Sequence, residues 1–397
     1  MNPRTEPAAT VRGLLESAPI IGIPPALAIS CPRQPPTMTS TLPESLPSSE
    51  ADPRLAALRA WLQSAPGGIA LHTASLRPAS ADASFRRYFR VDAAPGGDAS
   101  LIVMDAPPGK EDVGAFCRIA GLLREGGLSA PRVLARDDAQ GFVLLSDLGG
   151  TTYLDALNQA RAAGDAARCD ALMRDALRAL VRLQGVRAEL PAYDRQRLQA
   201  EMDLFEAWYL RLQMQAELRD DERQGLRRVM DALLDNVLAQ PVVLVHRDYH
   251  SRNLMVLDAQ CERGNPGVLD FQDAVLGPIT YDLVSLLRDA YIAWPEQQQI
   301  DWAIRYWDGA RAAGLPVNRD FGAFYRDFEW MGLQRQLKVL GIFSRLYHRD
   351  GKAQYLDDLP LVLSYVRAVA GRYAEFAPLL RLLDRLHGVA RRDAYTF

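Results

Sequence analysis

The spacing of apolar positions changes character at residues 147–150. Upstream, short apolar runs alternate with Gly, Pro and Asp. Ile69–Leu76, Phe85–Asp92, Ser100–Asp105, Pro131–Asp137 and Gly141–Ser146 are predicted strands, with turn chemistry at Ala79–Ser84 and Pro95–Asp98. Two helices accompany them. Asp52–Ser64 offers Asp52 as N-cap, Pro53 in the first turn and Leu55, Leu58 and Leu62 on one face. Asp112–Arg124 places Val113, Phe116, Ile119 and Leu123 inward and is stopped by Gly126-Gly127. Downstream the period becomes helical, at about 151–160, 169–184, 193–215 and 220–239, then 281–293, 297–313, 319–347 and 359–390. The pattern predicts an α+β chain of two lobes. A small sheet-rich N-lobe covers 52–146, Asp147-Leu148-Gly149-Gly150 forms a hinge, and a larger, mostly helical C-lobe covers 151–397. The Leu, Met and aromatic stripe of 321–347 reads as core.

Residues 1–51 are rich in Pro, Ser and Thr and show no lasting period, as in a disordered leader or a start assigned too early, with Met38 as the true one. Pro19–Ser30 imitates a short secretion signal, but Glu16 precedes it and Pro24 and Pro25 interrupt it. Across all 397 residues, 48% are hydrophobic and the net charge is −3, which gives no case for a nucleic-acid or membrane surface. Cys31, Cys117, Cys169 and Cys261 are scattered, so neither a disulfide framework nor a zinc site is indicated, in keeping with a reducing cytoplasm. No apolar run is long enough to span a membrane.

The helical half is interrupted at 242–273. Val242–Val245 and Leu254–Leu257 flank a polar loop, and a third run, Gly267–Leu269, ends at Asp270. The loop reads His246-Arg247-Asp248, with Asn253 five positions after the aspartate, and Asp270-Phe271 follows after a short linker. H-R-D-x-x-x-x-N followed by apolar-D-F is the spacing of a kinase catalytic loop and metal-binding aspartate. Phosphoryl transfer needs positioning and charge neutralisation more than covalent chemistry. Asp248 is the candidate base for the acceptor hydroxyl. Asn253 and Asp270 offer the oxygen donors that Mg²⁺ prefers. His246 and Arg247 are read as support for the loop, and His250 as a packing residue.

These motifs resemble those of the aminoglycoside phosphotransferase-like small-molecule kinases, over roughly residues 53–390. The carriers are H-R-D-Y-H-S-R-N and D-F-Q-D-A-V-L-G-P-I-T-Y-D-L-V-S-L-L-R-D. Softer segments, D-A-S-F-R-R-Y-F-R-V, I-V-M-D-A-P-P and M-G-L-Q-R-Q-L-K-V-L-G-I-F, are similar to the subgroup acting on the anomeric hydroxyl of N-acetylmuramate and N-acetylglucosamine in bacterial cell-wall recycling. The resemblance implies a protein-kinase-like bilobal fold, ATP and Mg²⁺ as cofactors, Asp248 as catalytic base, and Asn253 and Asp270 on the metal. It also implies a phosphate loop at Ser80–Phe85, including Ser84 and Phe85, and backbone contacts to adenine from Ser146, Asp147 and Leu148. The product would be a sugar 1-phosphate.

One departure stands out. The kinase phosphate-binding lysine belongs near Ile102–Asp105, and the chain's lysines are Lys110, Lys338 and Lys352. Either Lys110 reaches back or an arginine (Arg86, Arg87 or Arg90) takes the phosphate charge. The partner glutamate is equally open, with Glu111 early and Glu125 late. After Asp270 there is no A-P-E segment, which favours a small-molecule acceptor over a protein substrate, and nothing in the sequence calls for a protein partner. Asp289, Tyr291, Glu329 and Arg335 are candidate acceptor contacts on apolar helices, whereas Asp282 reads as an N-cap or a partner of the catalytic loop. Mixed charge after 280, including Arg288, Arg335 and Arg345, leans towards a neutral or carboxylate-bearing sugar. An aminoglycoside, a choline-like amine or an amino-acid alcohol remains the alternative acceptor, and a nucleotide-binding regulator without turnover the non-enzymatic reading.

Overall fold

In the computed structural model, residues 52–81, 85–94, 100–258 and 263–389 are described. The proposed leader, the Pro95–Asp98 turn and Ser84 lie outside them. The chain opens with α1 (Pro53–Gln63), capped by the Asp52 carboxylate on the Leu55 N–H. A five-stranded antiparallel sheet follows, built from β1 (Leu71–Ala81), β2 (Arg87–Ala93), β3 (Ser100–Asp105), β4 (Val133–Asp137) and β5 (Phe142–Ser146), in the order β1-β2-β3-β5-β4. Between β3 and β4 runs α2 (Val113–Glu125), capped by Asp112.

Strand alternation divides the core. Phe89, Val91, Val103, Phe142 and Leu144 meet Leu55, Leu58 and Leu62 of α1 on one face. Met104, Val143 and Leu145 point the other way, join Phe116, Ile119 and Leu123 of α2, and continue into the core of the C-lobe.

The C-lobe is helical: α3 (Tyr153–Ala162), α4 (Ala166–Gln184), α5 (Arg195–Leu204) and α6 (Asp220–Ala239) precede the segment 242–278. That segment is two small ribbons. β6 (Val242–Val245) pairs with β9 (Val275–Pro278), and β7 (Leu254–Met255) with β8 (Gly267–Val268), all antiparallel. Then come α7 (Tyr281–Leu287), α8 (Glu296–Ala312), α9 (Phe321–Asp350), α10 (Leu359–Ala370) and α11 (Ala377–Leu386). Helix α9 is capped by Asp320 on Ala323 N–H and ends at Gly351 with φ 68°. It is buried on every side from Phe328 to Gly341, so it is the axis of the lobe and not a surface helix. No helix among the described residues is long and apolar enough to cross a membrane.

Four predicted elements are corrected. The turn at Ala79–Ser84 begins later, because β1 stays paired with β2 as far as Ala81 opposite Arg87. The helix predicted over 193–215 passes from α5 into a π-helical stretch, Phe205–Gln213. The helix predicted over 281–293 stops at Leu287, where Arg288 leaves helical geometry at φ −116°, ψ 48°, so Asp289 and Tyr291 lie on a loop. The last predicted helix is split at Gly371 into α10 and α11.

Candidate active site

The loop 246–253 hangs between β6 and β7 and is pinned from several sides. The buried Asp282 carboxylate at the start of α7 accepts the backbone N–H groups of His246 (2.7 Å) and Arg247 (3.0 Å). This is the loop-partner role, not a helix cap. Tyr249 donates its hydroxyl to the Ala176 carbonyl in α4, 2.8 Å away. Asp289 accepts from Ser251 N–H (3.0 Å) and Ser251 Oγ (2.5 Å), and from Tyr291 N–H (3.0 Å). The Asn253 carbonyl accepts from Leu269 N–H at 2.9 Å, which ties the loop to the strand before Asp270. Arg247 (φ 77°) and Asp270 (φ 61°) both adopt the left-handed region, strain that such anchoring sustains at functional sites.

His246 is buried, and its two ring nitrogens divide the work. Nδ1 accepts from the Asp248 N–H at 3.2 Å, and Nε2 lies 2.9 Å from the Leu269 carbonyl, so the ring is a neutral Nε2–H imidazole. Burial holds its pKa down at about 4. Burial also pushes the Asp282 carboxyl up to about 7, against the pull of the two N–H groups it accepts. Neither group is placed to exchange protons with an acceptor. Both hold Asp248.

Asp248 itself faces a cavity of about 140 Å³, walled by His250, Tyr291, Arg335, Lys338 and Phe343 among others. Burial alone would raise its carboxyl, but Lys338, His250, Arg335 and Arg247 outweigh that and hold it below the usual range. A larger groove of about 400 Å³ lies elsewhere, between α2, the end of α4 and residues 313–315, and contains none of these groups.

The cations around Asp248 are not equivalent. Lys338 Nζ lies 2.9 Å from the Tyr281 hydroxyl and 3.0 Å from Glu201 Oε1, while Arg247 Nη2 donates to the same Glu201 oxygen at 2.6 Å. Glu201 also accepts from the Tyr193 hydroxyl. Sequence reasoning did not single out Glu201 or Lys338 here. The available signal was a lone lysine inside an apolar helix of an arginine-rich chain.

Asn253 and Asp270 come together as expected. Asn253 Nδ2 donates to the Asp248 carbonyl (3.0 Å) and sits 3.2 Å from Asp270 Oδ2. Gln272 donates to Asp270 Oδ1 at 2.7 Å, and its own Oε1 is buried without a hydrogen-bond partner. An amide oxygen, a carboxylate and an orphaned acceptor beside them suit a hard cation that completes its shell with phosphate and water.

On the nucleotide side the placements are mixed. Leu148 meets Leu257 over Gly267, where a Cβ would lie 3.0 Å from both, giving an apolar floor at the hinge. Ser146 is bonded to Arg132 through both its backbone N–H (2.9 Å) and its Oγ, which accepts the Arg132 N–H (2.8 Å). The Asp147 carboxylate is committed to Arg90, Ser100 Oγ (2.6 Å) and Gly149 N–H (2.9 Å), so its side chain ties this stretch to β2 and β3. Arg87 pairs with Asp52 and with Asp105, which Arg54 also grips, so both Arg87 and Arg90 have structural carboxylate partners. Arg86 is different. It is buried and its Nε lies 3.3 Å from Glu111 Oε2, while Phe85 N–H donates to the other oxygen at 3.2 Å. Phe85 is 60% exposed, and Lys110 Nζ sits 4.3 Å above its ring and does not reach back to β3.

Of the four candidate acceptor contacts, Tyr291 and Arg335 line the cavity, with the Arg252 guanidinium 3.5 Å from the Tyr291 ring centroid. Asp289 lines it too, but its carboxylate is spent on Ser251 and Tyr291 N–H. Glu329 is corrected: it is buried against Arg288 (3.0 Å), Arg372 and the Tyr373 hydroxyl (2.7 Å) and is not part of the cavity wall.

The chain is similar to several known proteins. A protein of Neisseria meningitidis serogroup B named N-acetylmuramate/N-acetylglucosamine kinase is 50% identical over 312 residues, covering 78% of this chain and 90% of that protein. A Pseudomonas aeruginosa protein of the same name is 46% identical over 344 residues, covering 84% and 97%. Among solved structures, a GDP complex of aminoglycoside 2'-phosphotransferase-IIIa superposes with a TM-score of 0.55 at 14% identity, covering 80% of this chain and 99% of that one. A choline kinase from Cryptosporidium parvum gives a TM-score of 0.52 at 10% identity, covering 84% and 99%, and both likenesses speak for the fold. The model of the phosphotransferase enzyme family matches residues 75–321, and the chain belongs to that family.

Proposed function

We propose that the chain transfers the γ-phosphoryl group of ATP to the anomeric hydroxyl of N-acetylmuramate and N-acetylglucosamine, the reaction class of a sugar 1-kinase in peptidoglycan recycling. The observation that carries this reading is Asp248, held anionic by surrounding cations and facing a cavity built from α9 and the 289–291 loop. There it takes the proton of the acceptor hydroxyl as that oxygen bonds to the γ-phosphorus and the bond to the β,γ-bridging oxygen breaks, releasing ADP. The names of the relatives, N-acetylmuramate/N-acetylglucosamine kinase, supply the acceptor.

Asn253 and Asp270 would hold Mg²⁺, which when bound neutralises phosphate charge and orients the β- and γ-phosphates. The Arg86–Glu111 pair would stand in for the lysine–glutamate pair of protein kinases, its guanidinium supplying the positive charge for phosphate. Leu148 would supply apolar surface, and the backbone of 147–148 hydrogen-bonding groups, to the adenine. The presence of Arg335 and Lys338 in the acceptor cavity speaks against an aminoglycoside or choline-like cation as substrate.

The test is ADP release with Mg·ATP and N-acetylmuramate, N-acetylglucosamine, glucose or kanamycin, with Asp248→Asn as the blank. Turnover on the two N-acetylated sugars, lost in the variant, is the expected result. Turnover on kanamycin alone, or ATP binding with no turnover on any acceptor, would overturn it.

A further inference from the structure

The acceptor cavity holds one cation without a counterpart. Arg335, on the inner face of α9, is 5% exposed, and its Nε and Nη1 have no hydrogen-bond partner. A buried guanidinium left unsatisfied is expensive, and proteins keep such a group where a ligand completes it. The anions that could serve it are otherwise engaged. Glu201 is taken by Lys338 and Arg247, Asp282 by the His246 and Arg247 N–H groups, and Asp289 by Ser251 and Tyr291 N–H. Asp248 shares the cavity, but among the described residues Arg335 forms no ion pair with it or any other carboxylate. Lys338, one helical turn further on the same helix, is by contrast fully matched.

We infer that Arg335 is the specificity-determining residue of the acceptor site: its unpaired guanidinium receives a carboxylate carried by the sugar. The inference rests on the function proposed above and names what that site reads. N-acetylmuramate differs from N-acetylglucosamine by a lactyl ether bearing a carboxylate. A planar guanidinium with no carboxylate partner of its own is the side chain shaped to grip a carboxylate through paired hydrogen bonds. The sugar lacking that group leaves the guanidinium unpaired, so the site favours the acidic acceptor. His250 and Tyr291 form the neighbouring wall, their rings 5.4 Å apart edge to face, and provide apolar surface for the pyranose.

The experiment compares kcat/KM for N-acetylmuramate, its neutral methyl ester and N-acetylglucosamine, in the wild-type chain and in Arg335→Met and Arg335→Lys. The wild type should prefer the acid to its methyl ester by about 100-fold, a comparison that needs no variant to fold. In Arg335→Met the ratio of kcat/KM for N-acetylmuramate over N-acetylglucosamine should fall by about 100-fold, chiefly through KM, with part of it restored in Arg335→Lys. Equal treatment of acid and ester by the wild type overturns the inference. So does an equal loss on both sugars in Arg335→Met, the mark of a guanidinium acting on the transferred phosphoryl group. A wild type inactive on every N-acetylated sugar would instead sink the underlying assignment of function, and this inference with it.

Discussion

Glu201 Oε1 and Lys338 Nζ sit 3.0 Å apart, both side chains nearly out of solvent, with Lys338 lining the cavity in front of Asp248. The same oxygen takes Arg247 at 2.6 Å. One carboxylate from α5 therefore neutralises a cation of the catalytic loop and a cation of the lobe's central helix. Removing it leaves two buried charges without a counterion. Glu201→Ala should destabilise the chain by roughly 3–5 kcal/mol, while Glu201→Gln, which keeps the shape and some hydrogen bonding, should destabilise it less. Urea unfolding of the three proteins checks this, and equal stability across them would show the cluster to be incidental.

His246 makes a prediction with a definite sign. Its folded pKa, about 4, lies below the ordinary 6.5 because the ring is buried and its Nδ1 must stay unprotonated to accept the Asp248 N–H. Between pH 6.5 and 4 the unfolded chain binds this proton and the folded chain does not. Stability from this group is therefore complete above about pH 6.5 and lost as the pH falls towards 4, by up to about 3 kcal/mol. Asp282, raised to about 7, acts in the opposite sense over much of the same range, since there the folded state is the one holding the proton. The informative quantity is thus the difference between wild type and His246→Gln, in which Asp282 largely cancels. That difference should shrink on acidification from pH 6.5 to 4, and a difference flat with pH would refute the neutral-tautomer assignment.

What the sequence displayed and what it hid follow from how far apart the interacting residues lie. His246, Asp248, Asn253 and Asp270 could be picked out as candidates because a loop between two short strands gathers them in neighbouring stretches of chain. Helix α6 matches its predicted 220–239 because its first turn is acidic and its apolar face is regular. Glu201, Arg247 and Lys338 belong to three elements more than forty residues apart, and periodicity tells which face is buried but not what meets it there. The arginines show the same limit. Arg86, Arg87 and Arg90 are close neighbours in sequence, yet strand alternation and the fold send them to different carboxylates, Glu111, Asp105 with Asp52, and Asp147. Asp289 and Tyr291 looked helical by composition. The Asp289 carboxylate instead takes the Ser251 and Tyr291 N–H groups, one on each oxygen, and the helix ends before it.

Asp270 sits beside Asn253 and a Gln272 oxygen that has no partner of its own. Asp270→Asn keeps the volume and removes the charge that a divalent cation needs. The Mg²⁺ concentration for half-maximal turnover should rise about 10–100-fold, and Mg·ATP should bind more weakly by calorimetry. An unchanged Mg²⁺ requirement would move the metal away from Asp270.

Arg86 and Arg87 are adjacent, and their partners separate two roles. Arg87 reaches outward to Asp52 and to the fully buried Asp105, which Arg54 holds from the other side. Arg87→Met should weaken the N-lobe by about 1–3 kcal/mol, because Arg54 keeps Asp105 from being stranded, and should change the KM for ATP by less than about threefold. Arg86 pairs with Glu111, whose other oxygen takes the N–H of the exposed Phe85. Arg86→Met should raise the KM for ATP by about tenfold or more, and Arg86→Lys should recover part of the loss as a point charge without the planar fork. Glu111→Gln should shift the KM for ATP in the same direction by a smaller factor, since it frees the guanidinium from its orienting carboxylate without removing it. If Arg87→Met raises that KM and Arg86→Met leaves it alone, the phosphate charge is taken at the edge of β2 nearest α1, and the pairing of Arg86 with Glu111 is a packing feature of the lobe.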